Sequence, residues 1–268
     1  MDSLTERTPR VVSAVKLARA AERKKTGLFL AEGFNAVSEA AQSRLVRELF
    51  FTADALERHH DLIASVEAGG ARVHPITDRA AKALSDTVTP QGLIAVTELV
   101  DVPIDRALAG TPRLVAVPVE MAEPGNAGTV IRVADAAGAD SVVLLGDSVD
   151  PHNGKCVRAS AGSVFHLPIV RERSIESGID ALRRAGLTIV ATAADGEVDL
   201  DDADELLTQP TAWLFGNEAH GLPESVTRDA DHRIRIPIHG RAESLNLATA
   251  AAICLYASAR AQRRSETP

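Results

Sequence analysis

The chain reads as an α/β protein in two parts: a C-terminal domain built on a parallel sheet, preceded by a small N-terminal α/β domain. Three observations predict this. From Leu114 onward, apolar runs recur at 114–119, 141–145, 187–193, 211–215 and 233–237, separated by helical segments, as in strands buried on both faces of a parallel sheet. Shorter strand and helix patterns alternate before residue 100. A length of 268 residues also suits two domains better than one.

Taken in order, residues 10–25 read as a helix, with Val11, Val12, Val15 and Ala18 on one face and Lys16, Arg19 and Arg23 on another. A strand at 28–31, a helix from Phe34, a strand at 47–52 and a helix at 55–68 follow, the last closed by Gly69 and Gly70. A strand at 71–76, a short helix at 77–84 and a strand at 93–97, after Pro90-Gln91-Gly92, complete this part. Residues 101–112 hold two prolines and a glycine and form the linker, which sets the domains at 1–100 and 113–268. The closing segment, 245–260, is a helix with apolar residues on more than one face, buried in the core or against another subunit.

The net charge of −8 argues against a nucleic-acid partner only if it is evenly spread. It is not: Arg7, Arg10, Lys16, Arg19, Arg23, Lys24 and Lys25 face only Glu22 between positions 7 and 25. Surface fields decay over about 10 Å at 0.1 M salt, so a docking partner feels this patch more than the distant acidic surface. The alternative is a solvated helix face. Aromatic residues make up 3% of the chain, so base recognition must lean on polar groups and arginine.

The two cysteines, Cys156 and Cys254, fit no disulfide framework, which points to a reducing cytosol. His152 and Cys156 share a helical spacing but lack a second ligand pair, so no metal is expected. The N-terminus lacks an apolar signal core, and the longest near-apolar stretch, 247–259, is too short to span a bilayer. The protein is expected to be soluble and cytoplasmic. Nucleotide-binding enzymes of the common types are disfavoured: no glycine-rich dinucleotide fingerprint follows a strand, and the frame at 216–221 continues with Leu222-Pro223 where a phosphate loop needs lysine and a hydroxyl. Arg158 stands where a serine nucleophile elbow around Ser160 would need glycine.

The candidate chemistry lies in three polar, glycine-bearing segments at the ends of apolar runs, where α/β proteins place ligands. Gly125-Asn126-Ala127-Gly128 opens a helix that carries Arg132, so Asn126 sits near amides that attract anions. Gly216-Asn217-Glu218 through Gly221 follows the run Trp213-Leu214-Phe215; glycine there lets a flat ligand approach the backbone. Ser244-Leu245-Asn246 opens the last helix, where Ser244 also suits an N-cap. Each segment alone also reads as a turn or cap.

Jointly, these segments resemble the three motifs of the SpoU (TrmH) branch of the SPOUT RNA methyltransferases in residue type and order, over nearly all of 114–260. The N-terminal part, with Arg23-Lys24-Lys25, Phe29-Leu30-Ala31-Glu32-Gly33 and residues 85–92, looks like the substrate-binding domain of ribosomal RNA members. The resemblance implies a SPOUT-type sheet with a deep trefoil knot, a homodimer with its site by the interface, and 2′-O-ribose methylation of RNA, with 23S ribosomal RNA as the expected substrate, from S-adenosyl-L-methionine. It assigns catalytic roles to Arg132, Asn126, Glu218, Ser244 and Asn246, and cofactor contacts to Thr192, Gly216, Asn217, Ile236 and Leu245. Arg19, Arg23, Lys24 and Lys25 are the candidate RNA contacts. A transfer-RNA 2′-O-methyltransferase, a SPOUT base methyltransferase and a non-catalytic RNA-binding module are the alternatives.

Overall fold

The computed structural model describes residues 3–217 and 220–266. The chain divides into two compact units: residues 1–100 with Asp150–His166, and Asp101–Val149 with residues 167–268.

In the first unit, β1 (Leu28–Glu32), β2 (Val46–Phe51), β3 (Arg72–Pro75) and β4 (Leu93–Glu98) form a sheet in the order β1-β4-β2-β3. β4 runs antiparallel to both neighbours, and β2 and β3 are parallel. One face packs Phe50, Ile94 and Val96 against Val11, Ala14 and Leu17 and against Ile76 to Leu84. Successive strand residues point to opposite faces, so Phe29 turns away from Leu28 and Leu30, which join that cluster. The fully buried Phe29 ring meets His152 at 4.8 Å and Phe165 at 5.9 Å instead.

The segment Asp150–His166, read from the sequence as part of the C-terminal domain, thus covers the second face of the N-terminal sheet. A buried ion pair fixes it: Arg23 Nη2 lies 2.7 Å from Asp150 Oδ2, with the arginine side chain 5% exposed. Arg23 also donates to the carbonyls of Leu17 and Ala18. These are terminal carbonyls of a helical stretch that the sequence suggested would run unbroken over 10–25. It breaks instead into a helix at Pro9–Val15, a 3₁₀ turn at Lys16–Ala18 and a helix at Ala20–Thr26, with Arg19 extended between them. The Arg23 guanidinium satisfies the carbonyls that the break exposes.

Asp150 accepts a second hydrogen bond from His152 Nδ1, 3.1 Å away; the other ring nitrogen, Nε2, accepts the Val100 amide. Burial alone would raise the Asp150 carboxyl, but the hydrogen bonds from His152 and Arg23 outweigh it and hold the group well below the ordinary carboxylate range.

In the second unit, β5 (Leu114–Pro118), β6 (Ser141–Leu145), β7 (Ile169–Glu172), β8 (Thr188–Thr192), β9 (Val198–Asp199), β10 (Thr211–Phe215) and β11 (His232–Arg235) form a seven-stranded sheet. The order is β7-β6-β5-β10-β8-β11-β9, and every pairing is parallel. β7 and β9 were not foreseen: four and two residues long, they are too short to stand out as apolar runs.

Both faces of this sheet are covered, as the continuous apolar strands predict. Val115, Val117, Ala212 and Leu214 join a core with Ile179 and Leu182 of the helix Ile175–Arg184. On the other face the Trp213 indole donates to Ser258 Oγ of the helix Leu247–Glu266 at 2.8 Å, with both residues fully buried. That helix also lies along Pro124–Ala137, where Tyr256 and Arg263 donate to the carbonyls of Ala136 and Ala137.

Arg23→Ala leaves the Asp150 carboxylate buried without its partner, and a loss of about 3–5 kcal/mol is expected, whereas Lys24→Ala at an exposed site stays within about 0.5 kcal/mol. Urea denaturation of the two variants checks this. Because the folded-state pKa of Asp150 is depressed, its contribution is complete above the ordinary carboxylate value of about 4 and fades as pH falls toward the folded-state value. The Arg23→Ala stability profile should therefore be flatter than that of the parent below pH of about 4.

Candidate functional site

The sheet order decides where a ligand sits in the second unit. From β5 the chain moves outward to β6 and β7, then crosses to β8 on the far side of β10. Such a reversal opens a crevice at the carboxyl ends of the strands. The three polar segments all lie at this edge: 125–128 follows β5, 216–221 follows β10, and the loop to 244–246 follows β11. Thr192 ends β8, with β10 on one side and β11 on the other.

The first and third segments meet. Asn246 Nδ2 donates to Asn126 Oδ1 at 3.2 Å across 120 residues of sequence. Asn126 is placed by the start of the helix Pro124–Ala137, where Pro124 occupies the first turn and the Glu123 carboxylate accepts the Gly125 amide. Asn246 is the N-cap of the final helix: its Oδ1 accepts the Thr249 amide at 3.2 Å and its carbonyl accepts that of Ala250. The cap is therefore Asn246, not Ser244, which lies exposed two residues earlier. One asparagine thus starts the helix with its oxygen and holds Asn126 with its amide.

The second segment is closed on itself. The Asn217 amide donates to the Gly221 carbonyl at 2.9 Å and the Gly221 amide returns to the Asn217 carbonyl at 2.8 Å. This turn folds so tightly that a Cβ on Gly216 would lie 2.3 Å from the Gly221 carbonyl carbon and 2.4 Å from the Leu222 nitrogen. The Asn217 side-chain amide donates to the Glu120 carbonyl, two residues past β5, at 2.9 Å, which ties the second segment to the stretch that leads from β5 toward the first. Glu120 is held in the left-handed region at φ 51°, a conformation costly for a residue with a Cβ and typical of functional loops. Glu218 lies outside the described residues.

The remaining candidates are placed as follows. Thr192 is half-buried, and its hydroxyl donates to the Leu214 carbonyl at 3.0 Å, locking β8 to β10 just before the glycine turn. Ile236 is half-buried one residue past β11, while Leu245 is exposed. Arg132 lies six residues beyond Asn126; at 100° per residue it projects from a different face of the helix. It is exposed, and its side chain has no ion-pair or hydrogen-bond partner among the described residues. Within one chain, then, Asn126 and Asn246 are in contact, Asn217 closes the glycine turn and reaches the Glu120 carbonyl, and Arg132 projects from another face of its helix.

Of the four basic candidates in the first unit, Arg19, Lys24 and Lys25 are exposed. Arg23 is a correction. At 4% exposure and committed to Asp150, its guanidinium is structural and not a surface contact for RNA. The aspartate that buries it lies 127 residues away, beyond the reach of a charge-run reading. His152 and Cys156 form no ligand pair either. Both imidazole nitrogens are engaged, and burial pushes the Cys156 thiol up to about 12.

A crevice at the carboxyl edge of a reversed parallel sheet, lined by tight glycine turns and paired asparagines, defines an α/β ligand-binding enzyme domain. Residues 113–256 match the SpoU rRNA Methylase family, and residues 8–95 match the MRM3-like substrate binding domain. The chain belongs to the SpoU rRNA methylase family. It is 35% identical to the 23S rRNA (guanosine(2553)-2′-O)-methyltransferase of Bacillus subtilis over 90% of this chain and 92% of that one. Among solved structures, the S-adenosylmethionine-bound rRNA methyltransferase of Sinorhizobium meliloti superposes with a TM-score of 0.83 at 32% identity, covering 97% of each chain. The SpoU methyltransferase AviRb of Streptomyces viridochromogenes, also bound to S-adenosylmethionine, gives 0.84 at 31% identity over 96% of this chain and 100% of that one. The protein is accordingly a methyltransferase that uses S-adenosylmethionine.

The residues present fit that cofactor. Gly216 is buried in a turn that admits no side chain, so backbone is presented at the end of β10, beside Thr192 at the end of the adjacent β8. Gly216→Ala is expected to weaken S-adenosylmethionine binding roughly tenfold or more, since backbone on the Gly221 side must shift. Isothermal titration against the parent, with circular dichroism to confirm folding, measures this.

Proposed function

We propose that the protein methylates a ribose 2′-hydroxyl of 23S ribosomal RNA. The observation that carries the reading is the contact of Asn126 with Asn246, which joins the first and third motif segments at the sheet edge where Asn217 holds the glycine turn to the Glu120 carbonyl. The substrate-binding match over residues 8–95 and the 2′-O activity in the name of the Bacillus relative support ribosomal RNA as substrate.

Bound S-adenosylmethionine supplies an already activated methyl group, so the chain's own task is alignment of the hydroxyl and assistance to loss of its proton. Arg132 is the group suited to this: a guanidinium stays charged and presents a fork of donors that matches a phosphate. It clamps the target phosphate and polarises the hydroxyl. Asn126, Asn246, Ser244 and Glu218 hold the loops and the ribose, while Thr192, Gly216, Asn217, Ile236 and Leu245 hold the cofactor. The knot belongs to this reading of the fold.

Arg132 projects from a different helix face than Asn126, which suits a homodimer whose site takes the arginine across an interface. Leu245 at 38% exposure, Ile253 at 38% and Tyr256 at 52% give the last helix and its approach an apolar surface of the kind a second copy covers. The cytoplasm is the proposed location. No helix among the described residues is long and apolar enough to cross a membrane.

Arg132→Ala should lower single-turnover methyl transfer by about 10²–10⁴-fold while S-adenosylmethionine affinity is kept; an unchanged rate removes Arg132 from the mechanism. Mapping of 2′-O-methyl sites in RNA from cells with and without the protein identifies the nucleotide, and a modification that leaves the adjacent linkage open to alkali defeats the ribose reading. Replacing Arg19, Lys24 and Lys25 together by alanine should weaken RNA binding and reduce the slope of log affinity against log salt by about 2, near 0.7 for each lost contact to single-stranded RNA.

A further inference from the structure

Of the six phenylalanines in this chain, Phe34 alone is exposed, at 44%. It opens the helix Phe34–Gln42 directly after β1, and its ring lies against that of His59, with centroids 4.9 Å apart and planes 31° from parallel. His59 reaches it because the helix Ala53–Ala68 is interrupted there: its backbone stands at φ −133°, ψ 31°, outside the helical region, between helical neighbours. A surface helix is thus broken at the residue whose ring backs an exposed phenylalanine.

The pair is held in place by Gln91. Its side-chain oxygen accepts the Phe34 amide at 3.3 Å, and its carbonyl accepts Arg58 Nη2 at 3.1 Å, one residue before the break. The loop that carries Gln91 is anchored in turn by the buried Glu32 carboxylate, which accepts the Ser85 hydroxyl at 2.7 Å and that of Thr87 at 3.3 Å and pairs with Arg158. Phe34 forms one wall of a cleft of about 260 Å³ whose other walls include Asn35, Thr87, Thr89 and Gln91. Val88, between the two threonines, is 97% exposed.

The result is a partly exposed aromatic ring at the rim of a small polar cleft, within the unit that matches a substrate-binding domain and that also carries the exposed Arg19, Lys24 and Lys25. A partly exposed aromatic ring beside hydroxyl and amide groups suits a planar heterocycle with polar edges. A duplex keeps its bases stacked inside, so the matching ligand is a base from an unpaired stretch. Resting on the ribosomal RNA reading above, we propose that the Phe34–His59 face stacks a nucleobase of a single-stranded segment of the substrate RNA, whose edge is read by the Thr87–Gln91 loop. The lysines and arginine supply affinity without sequence information, and this face supplies preference for unpaired RNA.

The test uses the full-length protein and a decauridylate carrying one 5-iodouridine. Fluorescence anisotropy should show affinity falling about 5- to 100-fold in Phe34→Ala and in Phe34→Leu, which keeps the apolar bulk but removes the π-face, while Phe34→Trp keeps or improves it. Ultraviolet cross-linking should attach the iodouridine to the peptide bearing Phe34 or His59. Methyl transfer to ribosomal RNA should show a raised KM with kcat retained. Full affinity in Phe34→Leu, or a cross-link confined to other peptides, overturns the proposal; so does preferential capture of a ribosomal protein at this face. If the parent protein binds the oligonucleotide through Phe34 yet transfers no methyl group to ribosomal RNA, the enzymatic reading fails and the platform stands. If it methylates RNA with a KM indifferent to Phe34, the platform alone falls.

Discussion

The parallel pairing of β10 between β5 and β8 is the constraint on which the catalytic unit depends. Parallel strands deliver their carboxyl ends to one edge, and the reversal of strand order beside β5 leaves a crevice there. Every motif segment lies in a connection leaving that edge. The pairing requires strands apolar on both faces, which is why Trp213 and Phe215 turn to one helical layer while Ala212 and Leu214 turn to the other. Its rigidity lets unfavourable features persist at the edge, among them the left-handed Glu120 and a turn at Gly216 that admits no side chain.

Asparagine is the residue that connects these loops, and its chemistry explains the choice. Its side chain both donates and accepts without carrying charge. Asn246 commits its oxygen to the helix start and its amide to Asn126, and Asn217 reaches the Glu120 carbonyl two residues past β5. These contacts hold the loops together without adding charge of their own.

In the N-terminal unit the comparable role falls to ions. Arg23 and Asp150 are buried together, and the pair survives because every strong donor has an acceptor: two carbonyls and a carboxylate for the guanidinium, and His152 for the remaining carboxylate oxygen. Glu32 does the same for the loop that ends at Gln91. Buried charge here fixes geometry: one pair closes the second face of the sheet, and the other sets the loop beside the Phe34–His59 rings.

The sequence by itself determined the alternation of the longer strands and helices, since patterns with periods of 2 and 3.6 and the punctuating glycines and prolines are local properties. It also determined the three motif segments and the family, because residue type and spacing carry them directly. Only the tertiary structure decided that Asn246 and not Ser244 caps the last helix, that Arg23 is a structural ion and not a surface contact, and that residues 150–166 close the N-terminal sheet. Each of those outcomes rests on a partner that no spacing pattern reveals. For Arg23 it lies 127 residues along the chain, and for Asn246 it is a choice between neighbours settled by contact with Asn126, 120 residues away. Short strands such as Ile169–Glu172 escaped for a related reason: their pairing with β6, and not their own composition, makes them strands.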